Sequence, residues 1–135
     1  MNDQEFLEGF EECSIPPEQW SHEAYLRMAW LYLTRHPLDQ ALEKICSGIR
    51  RYNMAVAGST DQYHHTVTVA FSRLVAARLT SAGDYAAFKA AKPDLYASHP
   101  PALARFYSEE HLFSDQAKRE WQDPDLAPLP PAKSV

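Results

Sequence analysis

Residues 65–79, HTVTVAFSRLVAARL, decide the fold. The opening HTVTV alternates polar and β-branched residues, the pattern of a half-buried strand. It continues into AFSRLVAARL, where Phe71, Leu74, Val75 and Leu79 recur at helical spacing among Ala, Leu and Arg. We therefore read the whole stretch as helix, capped by Asp61 or a neighbour and running to about 81, before Gly83. No other segment shows sustained period-2 alternation, so the chain is expected to be all-α.

Working outward, the first helix is expected over about 2–12. Asp3 lies in its first turn and Phe6, Leu7 and Phe10 form its apolar face. The SIPP stretch at 14–17 breaks it. The second helix runs from 18 or 21 to 35, with Ser21 as cap or Pro17 as a first-turn residue. His36–Pro37 ends it. The third runs from about 37 to 57 and stops at Gly58. Asp84 opens a shorter helix over Tyr85–Lys92, closed by Pro93. SHPP at 98–101 reads as a turn, Ala102–Tyr107 as one or two helical turns, and Ser114–Trp121 as a short helix with Trp121 as anchor. DPDLAPLPP, 123–131, reads as extended. The expected architecture is an irregular up-down bundle of four main helices with short C-terminal helices. It comprises one domain over 1–121 and a Pro-rich tail over 122–135.

Composition narrows the function classes. The chain has 135 residues, is 45% hydrophobic and carries a net charge of −5, which fits one globular domain with its own core. Arg50–Arg51 is too small a basic feature to track a phosphate backbone, so no nucleic-acid partner is expected. Cys13 and Cys46 lie near apolar positions outside any CxxC pattern and read as free thiols. The acidic start MNDQEFLEGFEE lacks the apolar core of a signal peptide, and the longest near-apolar run, Met28–Leu33, is too short to span a membrane. The expectation is a soluble cytoplasmic protein without a membrane partner.

The polar residues suggest a site. On the second helix His22 falls on the stripe of Leu26, Ala29 and Leu33. On the fourth, His64 falls on the stripe of Val67, Phe71, Leu74, Val75 and Leu79, with His65 about a quarter turn away. Tyr52 and Asn53 flank the stripe of Leu38, Leu42, Ile45, Ile49 and Val56 near the end of the third. If short loops make these helices antiparallel, His22, Asn53 and His64 meet at one end of the bundle, with Glu11 and Glu12 brought toward the same end. Three readings stay open. The cluster is structural, with its histidines hydrogen-bonded to Asn53, Tyr52 or backbone. Or it does acid–base work on a small molecule, with His22 and His64 as acid or base, Asn53 orienting the substrate, and Trp20, Tyr25, Tyr52, Tyr63 and His65 lining the pocket. Or His22, His64, His65 and Glu11 hold Zn or Fe.

Other residues carry weaker signals. Arg78 falls on an inward stripe and is expected to snorkel or to pair with a carboxylate. Trp30 and Tyr32 read as core aromatics. Ser21 beside the histidines is no triad, because no acid orients the base. There is no glycine-rich phosphate loop.

WSHEAYL (20–26), RYN (51–53) and YHHT (63–66), with FYSEEHLFS (106–114) and WQDPDLAPLP (121–130), resemble a group of small helical bacterial proteins without an assigned activity. Members read W-[ST]-H-x-x-H-L and Y-H-E-T. A site of several His and a Glu there implies metal chemistry. In this chain Tyr25 and His65 stand at the second His and the Glu, a departure that puts a metal in doubt. The resemblance supplies no reaction, and the residues themselves leave three functions as expectations: a small-molecule site performing hydrolysis, hydration or elimination, a non-enzymatic homodimer formed through the nearly all-apolar second helix with the Pro-rich tail as a docking segment, and a His-ligated metalloprotein.

Overall fold

A computed structural model describes residues 2–79, 83–96 and 102–132. The protein is all-α, with no strand among those residues. It divides into two compact units, Met1–Tyr63 and His64–Val135.

The N-terminal unit consists of α1 (Asp3–Glu11), a 3₁₀ turn at Pro17–Gln19, α2 (His22–Arg35) and α3 (Leu38–Ala57). The three helices pack on one another. Each boundary has a local cause. Asn2 and Glu5 form a reciprocal capping box at the start of α1. Ser21 caps α2 by accepting from the Ala24 N–H, so Pro17 opens only the short turn before it. Gly58 ends α3 in the left-handed conformation, φ 74°. The buried face of α3 runs through Ala41, Ile45, Gly48, Ile49 and Tyr52. That is rotated by about one residue from the expected stripe, since Leu38, Leu42 and Val56 are only half-buried.

Phe10 is the centre of this unit, at 0% exposure. Trp20 stacks on it at 5.2 Å, and Tyr32 and Tyr52 approach at 6.4 and 6.1 Å between ring centroids. Gly48 makes room for it. A Cβ at that position would lie 2.5 Å from the Phe10 ring, so α1 and α3 approach as closely as they do because Gly48 has no side chain.

The C-terminal unit is built on α4 (His65–Ala77), followed by α5 (Tyr85–Ala91), α6 (Glu109–Leu112) and α7 (Asp115–Arg119), with 3₁₀ turns at Pro93–Tyr96 and Ala102–Arg105. The HTVTV run is helical. Ten of the 13 residues of α4 are buried, and α4 packs against α7 and the 102–105 turn. Two of its buried polar members are satisfied locally: Thr68 donates to the His64 carbonyl and Ser72 to the Thr68 carbonyl.

α4 is shorter than the 61–81 expected, and Asp61 does not cap it. Tyr63 turns back on Thr60 through a backbone hydrogen bond, which delays the helix until His64 supplies the cap. Positions 80–82 and the expected 98–101 turn lie outside the described residues. Arg78 pairs with Asp94 at 2.6 Å, as its place on an inward stripe suggested. No helix among the described residues is long and apolar enough to cross a membrane.

Residues 121–126 have no regular structure, yet they are tied to 106–111. The Tyr107 hydroxyl donates to the Gln122 carbonyl, and the Ser108 N–H and hydroxyl both donate to Asp125. The Leu126 N–H donates to the Phe106 carbonyl at 2.9 Å. Thr66 of α4 joins the same segment, donating to the Glu120 carbonyl at 2.8 Å and accepting from the Gln122 N–H at 3.2 Å.

Candidate functional site

The residues expected to form a site fall in both units. Glu11, Trp20, His22, Tyr25, Tyr52, Asn53 and Tyr63 belong to the first, and His64 and His65 to the second.

In the first unit most of these groups have structural partners. The Tyr52 hydroxyl is buried and donates to the Ile15 carbonyl at 2.6 Å, and burial pushes its pKa up. Its ring lies 5.1 Å from Trp20, which also stacks on Phe10. Tyr63 is buried beside the Cys46 thiol and hydrogen-bonds to it, with the Arg50 guanidinium 5.2 Å from its ring centre. Burial raises both the Tyr63 and Cys46 pKa values, which leaves the thiol a poor nucleophile. Glu11 accepts from the Tyr32 hydroxyl at 3.1 Å. His22 is exposed at the first position of α2, and its ring stacks on Tyr25 at 6.2 Å. Asn53 is half-buried on α3.

His64 is the most constrained of the set. It is the N-cap of α4, with Nδ1 accepting from the Val67 N–H at 3.1 Å. That fixes the tautomer. Nδ1 offers its lone pair, so Nε2 carries the proton and donates to the Leu112 carbonyl at 2.7 Å. Both ring nitrogens are engaged, which leaves neither to take a proton from a substrate. Burial holds the pKa below the ordinary histidine value and the charge of Lys118 lowers it further, while the bond to Leu112 works against that. The edge of the ring meets Phe113, which is 66% exposed. His65, next along, is half-buried.

Among the described residues, no three His, Cys, Asp or Glu side chains form a group that could hold a metal ion.

The C-terminal unit contains a cleft that the sequence did not reveal. Its volume is about 530 Å³ and its lining runs from Arg73 and Trp121 through Asp123, Pro124, Asp125 and Leu126 to Leu129. Arg73, on α4, lays its guanidinium 4.9 Å from the Trp121 ring centre. The Trp121 indole N–H donates to Asp123 at 3.0 Å, which fixes the ring edge-on to the carboxylate. His111 secures the same wall, its Nε2–H donating to the Asp123 carbonyl at 2.7 Å. Its ring stacks on Tyr107, whose pKa burial raises to about 12, with Asp123 adding to the shift. Asp125 is held below the ordinary carboxylate range by its two hydrogen bonds from Ser108. Two carboxylates and one guanidinium leave the lining with one net negative charge.

A second, smaller cleft of about 320 Å³ in the N-terminal unit is bordered by Glu5, Glu8, Glu12 and Ser14. Gly9 and Ile15 also line it.

No family model matches the chain, and neither a curated protein nor a solved structure does.

Proposed function

We propose that the protein is a small-molecule-binding module and that its ligand is an organic cation bound in the C-terminal cleft over Trp121. The observation that carries this reading is the guanidinium of Arg73 on the indole face, beside Asp123 and Asp125. An indole ring is the strongest of the aromatic faces for a cation, and two neighbouring carboxylates strengthen that preference. Arg73 then acts as a resident occupant that an incoming amine or quaternary ammonium group displaces. The cleft volume lies within the range of about 300–1,000 Å³ typical of small-ligand sites. Pro124, Leu126 and Leu129 supply an apolar wall for the rest of the ligand.

A binding role is favoured over catalysis because the acid–base candidates with assigned partners are committed to the fold. His64 uses both nitrogens, Tyr52 donates to backbone, and Tyr63 is paired with Cys46.

Titration with choline and with arginine methyl ester, followed by the NMR signal of the Trp121 indole N–H, tests the proposal. Both cations are expected to shift that signal. Trp121→Ala abolishes binding, as followed by calorimetry because that variant has no indole signal. Arg73→Ala removes the competitor and tightens binding by about twofold to fivefold, the factor set by an exposed cation–π contact of about 0.5–1 kcal/mol. A cleft that ignores both cations, or one that takes benzoate only while Arg73 is present, would overturn the reading.

A further inference from the structure

We infer that His64 is an acid-sensitive latch at the start of α4, closed by the neutral imidazole and opened when Nδ1 gains a proton. The inference rests on geometry independent of any ligand in the cleft. Nδ1 is an acceptor, facing the Val67 N–H at 3.1 Å. Nε2–H is a donor, facing the Leu112 carbonyl at 2.7 Å. Only the Nε2–H neutral tautomer satisfies both. A proton added at Nδ1 sets one N–H against another, so the cap is lost at the start of a helix that is buried along most of its length.

Among the described residues, the charge acting on the ring is positive. Lys118 of α7 is the charged group whose field reaches the ring, and it opposes protonation. α6 contributes the Leu112 carbonyl, followed by the edge of Phe113. On α4 the next residue is His65.

His111 makes the contrast within the same unit. Its described bond uses Nε2–H as donor to the Asp123 carbonyl, and a donor survives protonation. Asp125 adds a negative charge nearby. Acid therefore breaks the cap that His64 makes through Nδ1 and spares the bonds that both histidines make through Nε2–H.

The direction of the pH effect follows. The folded chain holds His64 neutral more strongly than the unfolded chain does. Its contribution is complete above the unfolded value of about 6.5 and is lost as pH falls from there toward the lower folded value.

The test is amide hydrogen exchange at Val67, corrected for intrinsic rates, in wild type and His64→Asn between pH 7.5 and 5. Asparagine retains an acceptor for the cap but does not titrate in that range. Wild type is expected to lose protection by about fivefold, the factor equivalent to a typical helix cap of about 1 kcal/mol, while His64→Asn stays flat. An equal loss in both proteins overturns the latch. If His64→Asn does not fold, the ¹⁵N shifts of His64 in wild type decide. An Nε2–H tautomer at pH 7.5, with the Val67 amide titrating in step with the ring, supports the latch. An Nδ1–H tautomer, or a Val67 amide indifferent to the titration, overturns it.

Discussion

The two units solve the same problem with different materials. In residues 2–63, three helices satisfy most of their own backbone, and what holds them together is chiefly apolar and aromatic contact around Phe10, with a few long-range polar ties such as Arg27 to Asp3, Tyr32 to Glu11 and Tyr52 to Ile15. In the second unit one buried helix is surrounded by short turns and irregular chain. Irregular chain has backbone donors and acceptors with no helical partner, and side chains distant in sequence meet them: Thr66 serves Glu120 and Gln122, His64 serves Leu112, and Tyr107 serves Gln122. A helical core therefore relies on volume, whereas a turn-rich shell relies on individual hydrogen bonds. Substitutions should separate the two.

The largest effect is expected from Phe10→Ala. It empties the centre of the aromatic cluster, and such truncations cost about 3–5 kcal/mol. Loss of amide protection in α1, α2 and α3 should report it, and a change below about 1 kcal/mol would mean that Phe10 is not the packing centre. Thr66→Val comes next. It conserves shape but leaves the Glu120 carbonyl and Gln122 N–H without their hydroxyl partner, a penalty of about 1–3 kcal/mol where water cannot replace it. Denaturant unfolding followed through Trp121 would measure it. A neutral result would remove the distinction between the units.

Asp94→Asn should have the smallest effect. It leaves Arg78 without its charge partner, and the pair is partly exposed, so the loss is about 1 kcal/mol at most and shrinks with salt. Burial opposes ionisation of Asp94, but Arg78 outweighs it and holds the carboxyl below its ordinary value. Its contribution is therefore present above about pH 4 and fades as pH falls through the lower folded value. A stability gap between wild type and variant that persists unchanged to pH 2 would show that the ion pair is not its source.

The contrast also explains what the sequence could convey. Helix class and most helix boundaries were legible because their signals are local. Ser21, Gly58, Asp84 and Ser114 act where those residue types usually act. The start of α4 was misplaced because histidine is not among the usual capping residues. α6 was missed although Ser108 before Glu109 and Glu110 is an N-cap pattern that could have revealed it. The cleft was not legible at all. Arg73 and Trp121 are far apart in the chain, and nothing local to DPDLAPLPP indicates that Ser108 and Phe106 bind it. The inward position of Phe71 was readable from spacing, whereas Tyr52 was placed only beside a stripe and its hydrogen bond to Ile15 was not readable, since a stripe gives direction without partners.

The ties between 106–111 and 122–126 also bear on how the protein meets proteases. A proline-rich stretch with an exposed leucine has the composition of a linker that is cut early. A protease, however, must draw several residues into its own cleft as extended, unbonded chain. Here the Leu126 N–H, the Gln122 carbonyl and the Asp125 carboxylate would first have to leave Phe106, Tyr107 and Ser108. The cutting rate at this stretch is then set by how often that opening occurs. It becomes a clock for local unfolding that composition alone would have misread as a loose end.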